Sequence, residues 1–563
     1  MNRAAVRRWW TRAGSALAVA ALAAGCGGVA GGPGGRRLPF GGSARPGERV
    51  LITRFADVTG VATTQRLVFI TTPQGIGVYD RQFDAWLPPL TAGPEYPAER
   101  VSFVAADPTT DAVWVGGAGF VLFYQPSVDL VSRANVPGAV EFIMFDRRNT
   151  AAGALVRSAG QWSRVSSTGF VQPLLNSADL PAPSDQIRPP TLAQLYDEFP
   201  GLQGFERMLT RDAQLRSWPV SSGAKSPDRA GEVWLGTLGN GLYKVNPLFN
   251  TGENLPFGLL ERGAGALALA ADGVWAAGDG DPGPDGRAGI TFIESDLQEW
   301  RWLEGGLVQP LAGARAHDLA VRGEWAWVAT DRGVARVGIR DGDDFVLWSA
   351  VHGLPDDRAL SVAPRPDGAW VGTARGLVFL ADSASRRSPR PGSVGRTLAS
   401  GTPVRALLAT GDTLWIGTDA GLLLLPPGND SLPVRAAAAT SEPRLRQPII
   451  AIAGSDSLVV VATADELLRY NLRTGALLPR LEAVSARSVG RVNAVALDER
   501  TLWVAGSLGV LVLDRGTGTS RILGAQDLIA GEAYDVALAR DFAWIATRDG
   551  VVRLSRLPDG TVR

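Results

Sequence analysis

Three aspartates in one short segment are the clearest candidates for metal chemistry in this chain. Asp279, Asp281 and Asp285 stand in a run of Gly and Pro residues, two and four positions apart. Carboxylate oxygens are the ligands that Ca²⁺ prefers in proteins. The run lacks the bidentate glutamate that closes an EF-hand loop, because Glu294 lies too far along the chain. The segment is therefore either a calcium site or a solvated turn, and we favour the turn.

Side chains that could carry catalysis are scarce. The chain has only two histidines, His317 and His352, and they are far apart in sequence. We expect both to be turn or packing residues, because neither belongs to a visible zinc set or Ser-His-Asp arrangement. No phosphate loop, dinucleotide fingerprint or haem-attachment motif is present. The sequence therefore predicts no catalytic residues, no enzyme activity and no cofactor other than the candidate Ca²⁺.

Cys26 is the one cysteine of the chain, so it cannot form an internal disulfide or a paired-cysteine metal site. It follows an arginine-rich start and an apolar run from Ala13 to Ala24, the pattern of a signal peptide. The residues Leu22 to Cys26 resemble a bacterial lipobox. We predict that residues 1–25 are a lipoprotein signal peptide and that Cys26 carries the lipid. An ordinary secretory peptide with an incidental cysteine is the alternative.

The segment after Cys26 predicts where the protein works. Residues 26–48 are rich in Gly, Pro and Arg and show no periodicity, as expected of a flexible tether. Gly27 is not the aspartate that marks inner-membrane retention in enterobacteria. We therefore expect a protein that is anchored to the membrane only by this lipid, in the outer membrane and facing the periplasm.

A short phrase centred on tryptophan recurs about every 41 to 52 residues, which is the spacing of propeller blades. Eight copies carry the tryptophan: Trp114, Trp234, Trp275, Trp327, Trp370, Trp415, Trp503 and Trp544. Weaker copies place Phe69, Val460 and the run Ala154–Ser158 in the same pattern, which gives about eleven copies in all. We predict that these tryptophans are buried structural residues and do not stack on sugars.

Each copy has the same internal order. In one of them, Ala359 to Ala363 alternates as a first strand, and Trp370 to Thr373 forms a second. Gly376 then allows a tight turn with positive φ before a third strand. A fourth, outer strand is less visible. One such sheet cannot bury both faces alone, so neighbouring sheets must pack against each other radially.

The stretch Gly353-Leu354-Pro355, followed by Trp370–Thr373 and Gly376-Leu377, resembles the two-component regulator propeller repeat, with its G-L-P, W-x-G-T and G-L elements. The W-x-G-T and G-L elements recur in two further copies: Trp234–Thr237 with Gly241-Leu242, and Trp415–Thr418 with Gly421-Leu422. The resemblance covers the chain from about residue 50 onward. It implies an all-β propeller, and in the family paired propellers sense carbohydrate breakdown products for hybrid histidine kinases.

Three functions are compatible with this resemblance. The chain ends at Arg563 directly after its last copy, so we expect no kinase, and any signal would pass to another protein. Our main hypothesis is a sensor-like module that binds a small molecule or glycan. The alternative is an envelope scaffold that binds a protein, like the propeller subunit of the outer-membrane assembly machine; a propeller lyase or hydrolase is a third. Lys plus Arg and Asp plus Glu number 56 each, which gives no net field to attract nucleic acid.

The number of rings stays open at this stage, since single rings usually hold four to eight blades. Two rings are the preferred arrangement, with residues 49–265 as a first group and residues 266–563 as a second group of about seven units. A single oversized ring is the alternative, because Arg49 to Arg54 could supply the outer strand of the last unit. An insertion of about 171–230 predicts a short helix capped by Thr191, with Phe205, Met208 and Leu209 in a second one. This insertion covers a sheet, joins two rings, or forms a lid or docking element.

Overall fold

The computed structural model describes residues 49–91, 101–107, 109–175, 179–204, 216–281, 287–304, 311, 314–340, 344–381, 394–426, 433–435, 442–478, 486–557 and 562. The predicted signal peptide, Cys26, the tether, Asp285 and the second short helix lie outside these residues. No helix of the described part of the chain has the length and apolar character that spanning a bilayer requires. The architecture is all-β and is built from antiparallel sheets.

The described chain begins with β1 (Arg49–Ile52), which pairs far along the sequence, and continues with an N-terminal set of sheets. The strands of this set are β2 (Gly60–Thr63), β3 (Leu67–Thr72), β4 (Gly75–Asp80), β5 (Ala85–Thr91), β6 (Val101–Asp107), β7 (Ala112–Gln125), β8 (Leu130–Asp146), β9 (Ala154–Ser158), β10 (Gln161–Val165), β11 (Val171–Pro173), β12 (Gln186–Ile187), β13 (Val220–Lys225), β14 (Val233–Thr237), β15 (Gly241–Asn246) and β16 (Thr251–Leu255). Strands β2–β5 and β13–β16 each form a sheet, and β6–β11 form a longer one to which β12 adds through β8.

The C-terminal set contains seven sheets, each of which begins with its strand nearest the set's centre. The strands are β17 (Ala264–Leu269), β18 (Gly273–Gly278), β19 (Gly289–Glu294), β20 (Trp300–Glu304), β21 (Ala316–Arg322), β22 (Trp325–Thr330), β23 (Gly333–Gly338), β24 (Phe345–Trp348), β25 (Ala359–Arg365), β26 (Gly368–Thr373), β27 (Gly376–Ala381), β28 (Val404–Thr410), β29 (Thr413–Thr418), β30 (Gly421–Leu425), β31 (Val434–Arg435), β32 (Ala451–Gly454), β33 (Leu458–Ala462), β34 (Leu467–Asn471), β35 (Ala476–Leu477), β36 (Val492–Leu497), β37 (Thr501–Gly506), β38 (Gly509–Asp514), β39 (Ser520–Leu523), β40 (Ala533–Leu538), β41 (Phe542–Thr547) and β42 (Gly550–Ser555).

The first strands of the C-terminal set contact each other in sequence order. Strand β17 contacts β21, β21 contacts β25, and the series continues through β28, β32, β36 and β40. Strand β40 in turn contacts β17, so the contacts form a closed cycle. In the N-terminal set the contacts run in the order β13, β2, β6 and β8. Radial contact between first strands is how propeller sheets hide their faces.

Strand β1 supplies the outer strand of the last sheet of the C-terminal set. It pairs with β42 in antiparallel register, with Arg49 opposite Leu554 and Ile52 opposite Val551. This pairing confirms that the residues after Arg49 complete the last unit. The predicted boundary at residue 265 grouped this strand with the first units, but its pairing places it in the C-terminal set. The chain therefore leaves the C-terminal set, forms the N-terminal set, and returns.

The repeated tryptophans lie on the second strand of their sheets and are buried, as predicted. Trp234, Trp503 and Trp544 have no exposed side-chain surface, and the other five are at most 3% exposed. Seven of them lie in apolar cores that contain residues of more than one sheet, whereas the core around Trp114 is formed by strands of the long sheet of β6–β11 with β12. Trp503, for example, packs with Val536 of the next sheet. An aromatic side chain of this size buries about 150–250 Å². Apart from Trp114, these tryptophans therefore pack neighbouring sheets against each other.

The W-x-G-T and G-L elements form the turn between the second and third strands. Gly376 adopts a positive φ of 141°. The Thr373 hydroxyl donates to the Gly376 carbonyl over 2.9 Å and accepts from the Arg375 amide at 3.2 Å. Thr330 with Gly333, Thr418 with Gly421 and Thr547 with Gly550 make the same bond. The motif is thus a turn signature whose threonine satisfies the backbone of the turn.

Helical structure is limited and peripheral. Helix α1 (Leu192–Glu198) begins after Thr191, whose side chain and that of Gln194 form the predicted cap. Its buried Leu195 packs with Leu235 and Tyr243 on the sheet of β13–β16. Short 3-10 turns occupy Pro126–Val128, Thr150–Ala152, Pro183–Asp185, Ala350–His352, Pro443–Arg446, Ala486–Val489 and Ala525–Asp527. Helix α1 therefore matches the interpretation in which the insertion covers a sheet. The insertion also contains the strands β11, β12 and β13.

A buried aromatic stack joins the two sets. Trp86 of β5 stacks on Phe257 at 4.0 Å between ring centroids, and Phe257 meets Trp300 of β20 edge-on at 5.0 Å. These residues belong to one apolar core that also contains Trp234 and Trp544. Nearby, buried Arg54 donates to Asp57 and to the Leu260 carbonyl. The two sets consequently share a core instead of meeting through a bare linker.

Candidate functional site

A cavity of about 590 Å³ lies where the first strands of the C-terminal set converge. Residues from all seven sheets line it: Gly265, Arg315, Ala316, His317, Leu360, Arg405, Pro448, Ile450, Ala464, Arg491, Val492, Asn493 and Tyr534. Its volume is that of a small-molecule site. We call it the central cavity, and it is the described place where every sheet of the set contributes a residue.

Backbone irregularities place these side chains. In six of the seven first strands the pairing register skips one residue, which is a β-bulge: Gly265, His317, Leu360, Arg405, Asn493 and Tyr534. Every skipped residue lines the central cavity. A bulge bends its strand and turns a side chain that regular pairing would aim elsewhere. The repeat therefore produces, in sheet after sheet, one variable residue directed at the common centre.

Arginine dominates the charged lining. Arg405 binds Asp419 at 2.5 and 3.1 Å, and Arg491 binds Glu532 at 2.5 Å. Glu532 also accepts from the Asn493 side-chain amide at 2.8 Å. Although burial acts to raise the pKa of Glu532, the hydrogen bonds from Asn493 and Arg491 outweigh it and hold that pKa below its ordinary value. Both carboxylates are thus hydrogen-bonded partners of lining arginines.

Arg315 is held differently. Its guanidinium lies 4.5 Å from the ring centroid of Tyr534 on β40, which is a cation–π contact. Its backbone amide donates to Asp331 at 3.1 Å. The Arg315 Nε is buried and has no hydrogen-bond partner among the described residues. A buried cationic donor in this state can gain a bond from a bound acceptor.

His317 is the bulged residue of β21 and lies two residues after Arg315. Burial lowers the pKa of His317, and the positive charges of Arg315 and Arg358 lower it further. The negative charge of Asp331 acts in the opposite direction and raises it. The imidazole is therefore neutral at pH 7. Its Nε2 is buried and, within the described residues, has no hydrogen-bond partner. The bulge places the ring in the lining of the central cavity, and the expected turn or packing role of His317 stays a prediction.

His352 is a turn residue, as expected. Its Nδ1 accepts from the Ser349 amide at 3.2 Å and lies 2.9 Å from the Ser349 hydroxyl. It is exposed and lies outside the lining of the central cavity. The two histidines are therefore not brought together as a catalytic or metal-binding pair, and His352 needs no function beyond its turn.

The predicted aspartate cluster adjoins the central cavity. Asp281 lines a second cavity of about 450 Å³ together with Glu532 and Tyr534, and its carboxylate lies 3.7 Å from Arg262. Asp279 accepts from the Asp281 amide at 3.2 Å, and burial raises its pKa. The described residues contain no group of three His, Cys, Asp or Glu side chains placed to hold a metal ion. The calcium interpretation stays a prediction, since Asp285 lies outside those residues.

Glu261 is a neighbour of this cluster that sequence reasoning missed. Its carboxylate accepts from the amides of Gly280 and Gly289, both at 3.3 Å. Burial raises the pKa of Glu261 to about 8. The two amide hydrogen bonds lower it, whereas the negative charge of Asp279 raises it. Nothing in the sequence marks Glu261, because its hydrogen-bond partners Gly280 and Gly289 come 19 and 28 residues later in the chain.

Comparisons with known proteins give no family. No family model matches the sequence, and no significant match to a curated protein was found. The extracellular domain of a one-component system from B. thetaiotaomicron is similar with 15% identity and a TM-score of 0.36; 90% of this chain is aligned, but it spans only 65% of that domain. The extracellular domain of a hybrid two-component system from the same organism is similar with 14% identity and a TM-score of 0.32, and the alignment covers 90% of this chain and 83% of that domain. A computationally designed protein is similar with 14% identity and a TM-score of 0.37, and the alignment covers 58% of this chain and 94% of the designed one. Scores this low do not establish a shared overall fold, so the sheets and contacts described above define the architecture.

Proposed function

We propose that this protein is a membrane-anchored, extracytoplasmic β-propeller that binds a small molecule or glycan in the central cavity and does not transform it. In this proposal the seven sheets of the C-terminal set form one ring, and the N-terminal set is a separate array packed against it. The cycle of first-strand contacts and the outer strand supplied by β1 support this ring of seven sheets. The lipid on Cys26 would hold the protein at the outer membrane, facing the periplasm.

The observation that carries the proposal is the convergence of the bulged residues. The bulged positions include four polar residues that line one cavity: Arg405, Asn493, Tyr534 and His317. Polar groups at the centre are costly unless they are satisfied. Arg405 and Asn493 are satisfied by protein partners, whereas Nε2 of His317 is not. A site that binds a polar ligand accounts for this composition better than a purely structural centre does.

Binding without turnover is the simplest chemistry for this lining. Glu532 and Asp419 are both bound by lining arginines, so neither carboxylate is free to act as a general acid. His317 is neutral but has no described carboxylate bonded to its ring, which a catalytic base needs for orientation. An enzyme would show turnover that is lost in His317→Ala.

A cavity-filling variant tests the proposed site. Leu360→Trp adds bulk at a bulged lining position, whereas Val351→Trp adds the same bulk at a residue that is 92% exposed. A library of small molecules and oligosaccharides is screened by thermal shift, because a ligand that binds the native state raises the melting temperature. We expect hits that stabilise the parent and Val351→Trp but not Leu360→Trp. Hits that stabilise all three equally would place binding elsewhere.

Partner capture tests the scaffold alternative and the anchor together. The full-length protein is purified from crosslinked membranes, beside Cys26→Ser and, as a control in the tether, Ser43→Ala. We expect Cys26→Ser alone to leave the membrane fraction. A stoichiometric envelope protein bound to the parent, combined with no cavity-dependent hit in the ligand screen, would replace the sensor-like proposal with the scaffold.

A further inference from the structure

Among the described residues, the central cavity combines three arginines with two carboxylates that form ion pairs with them. Arg405 and Arg491 each hold one acidic partner, Asp419 and Glu532, in close ion pairs. Arg315 has its guanidinium on the face of Tyr534 instead. Next to it, the charges of Asp331 and Arg358 act on His317 in opposite directions. The lining therefore carries an excess of about one positive charge at neutral pH.

Two buried donors or acceptors in this lining also lack partners among the described residues. The Nε of Arg315 can only donate, whereas Nε2 of the neutral His317 ring donates or accepts according to its tautomer. His317 is the skipped residue of the bulge in β21, and Arg315 lies two residues before it, just ahead of the strand. A charged oxygen between them would satisfy Arg315 with a charge-assisted hydrogen bond.

From this arrangement we propose that the central cavity selects a singly charged organic oxyanion, a carboxylate or a sulfate ester, with Arg315 and His317 as the recognition residues. This inference rests on the proposed binding function and names its ligand class. A monoanion matches the excess charge. A dianionic phosphate would bring a second negative charge toward Glu532 and Asp419, and that repulsion disfavours it.

The remaining lining suits an organic body on this anion. Tyr534 and Leu360 supply apolar surface, and Asn493 lies beside them. The cavity of about 590 Å³ is large enough for a monosaccharide or disaccharide. The ion pairs of Arg405 and Arg491 leave these arginines in place without offering the ligand a full charge.

One sugar in four charge states is the probe. Galactose, galacturonate, galactose 6-sulfate and galactose 6-phosphate are titrated into the full chain by calorimetry at neutral pH and low salt. We expect galacturonate or galactose 6-sulfate, or both, to bind, and galactose and the phosphate to bind more weakly by about tenfold or more. The two monoanions separate a carboxylate ligand from a sulfate ligand.

Variants at Arg315 assign the binding to this residue. Arg315→Gln is expected to weaken monoanion binding about 10- to 100-fold, the loss expected for one charge-assisted bond. Arg315→Lys keeps the charge and is expected to retain much of the affinity. Arg340→Gln is the matched control, since Arg340 is 77% exposed in its side chain and pairs with Glu324 away from the cavity. Melting temperatures of all variants report whether folding is intact.

Each outcome decides the proposal. Monoanion binding that is lost in Arg315→Gln and kept in Arg315→Lys and Arg340→Gln supports it. Equal binding of galactose, stronger binding of the phosphate, or no binding of any anion at millimolar concentration overturns it. If neutral compounds from the thermal-shift library still bind in a manner blocked by Leu360→Trp, the anion inference alone fails. If no cavity-dependent ligand is found at all, the proposed function fails with it.

Discussion

Asp535 offers a quantitative test of how the C-terminal set is held together. It follows the bulged Tyr534 on β40, and its two carboxylate oxygens accept from the amides of Leu267 and Val536, both at 2.8 Å. Leu267 belongs to β17, so this carboxyl bridges the last and first sheets of the set. Burial raises the pKa of Asp535 from 3.8 to about 7; the Leu267 amide opposes this and the charge of Asp318 adds to it.

The raised pKa fixes the direction of the pH effect. A carboxyl whose pKa is higher in the folded state stabilises the fold fully below its unfolded pKa, near 4, and loses that contribution as the pH rises through about 7. The two pKa values set an upper limit of about 4 kcal/mol on this loss. Asp535 is partly exposed in the structure, so water reduces the effect and we expect about 1–2 kcal/mol.

Asp535→Asn separates the contribution of the hydrogen bonds to the two amides from the contribution of the carboxyl's ionisation. Asparagine keeps one acceptor oxygen and leaves one of the two amides unpaired, which costs about 1–3 kcal/mol. Asparagine cannot ionise, so the variant lacks the part of the pH dependence that Asp535 contributes, while other buried carboxyls such as Glu261 and Asp318 still contribute theirs. We therefore expect the variant to be clearly less stable than the parent at pH 4.5 and to approach it by pH 8.

Urea unfolding across this pH range is the measurement. Asp541→Asn, on an exposed turn of the same sheet, is the control for removing a carboxylate without the bridge. A constant difference between Asp535→Asn and the parent at every pH would refute the pKa argument. A variant as stable as the parent at pH 4.5 would refute the bridge itself.

Three further changes probe the repeat. Removing residues up to 52 deletes β1 and should lower the melting temperature and promote aggregation relative to removal up to 48, because β42 then has an unpaired edge; scanning calorimetry and light scattering check this. Gly376→Ala should destabilise by about 1–3 kcal/mol, more than Gly411→Ala, in urea unfolding, since both glycines have positive φ but only the Gly376 substituent would lie 2.9 Å from the Leu398 carbonyl. Trp503→Ala should cost about 3–5 kcal/mol by the same assay, because Trp503 is fully buried.

The repeat could be predicted from sequence because its signals are local. The tryptophan phrase fixes the second strand, and Thr373 with Gly376 fixes the turn through bonds within a few residues. The cap at Thr191 likewise depends only on Gln194. Even the pairing of β1 was foreseeable, since the last unit lacked an outer strand and the segment after Arg49 had a strand pattern without a partner.

The candidate site could not be predicted in the same way. Whether His317 points to the centre depends on one skipped residue in the pairing of β21 with β22, and bulges are set by how strands pair and pack, not by residue type. The partners of Asp318 and Asp535 lie on neighbouring sheets, at Val362 and Leu267. The six bulged strands do share a pattern, with Ala or Val, a variable residue, and then Asp, Ser or Ala. The pattern does not predict the bulge, because β32 carries it as Ala451-Ile452-Ala453 and pairs regularly.

The pairing of β1 with β42 has a consequence for biogenesis. About 500 residues separate the two strands in the chain, so β1 is synthesised first and must wait without a partner while every other sheet is made. Closing so long a loop is slow, and an unpaired strand is vulnerable to proteases and to pairing with another chain during that time. A chaperone that covers the first strand, or export after folding is complete, would each protect the protein through this interval.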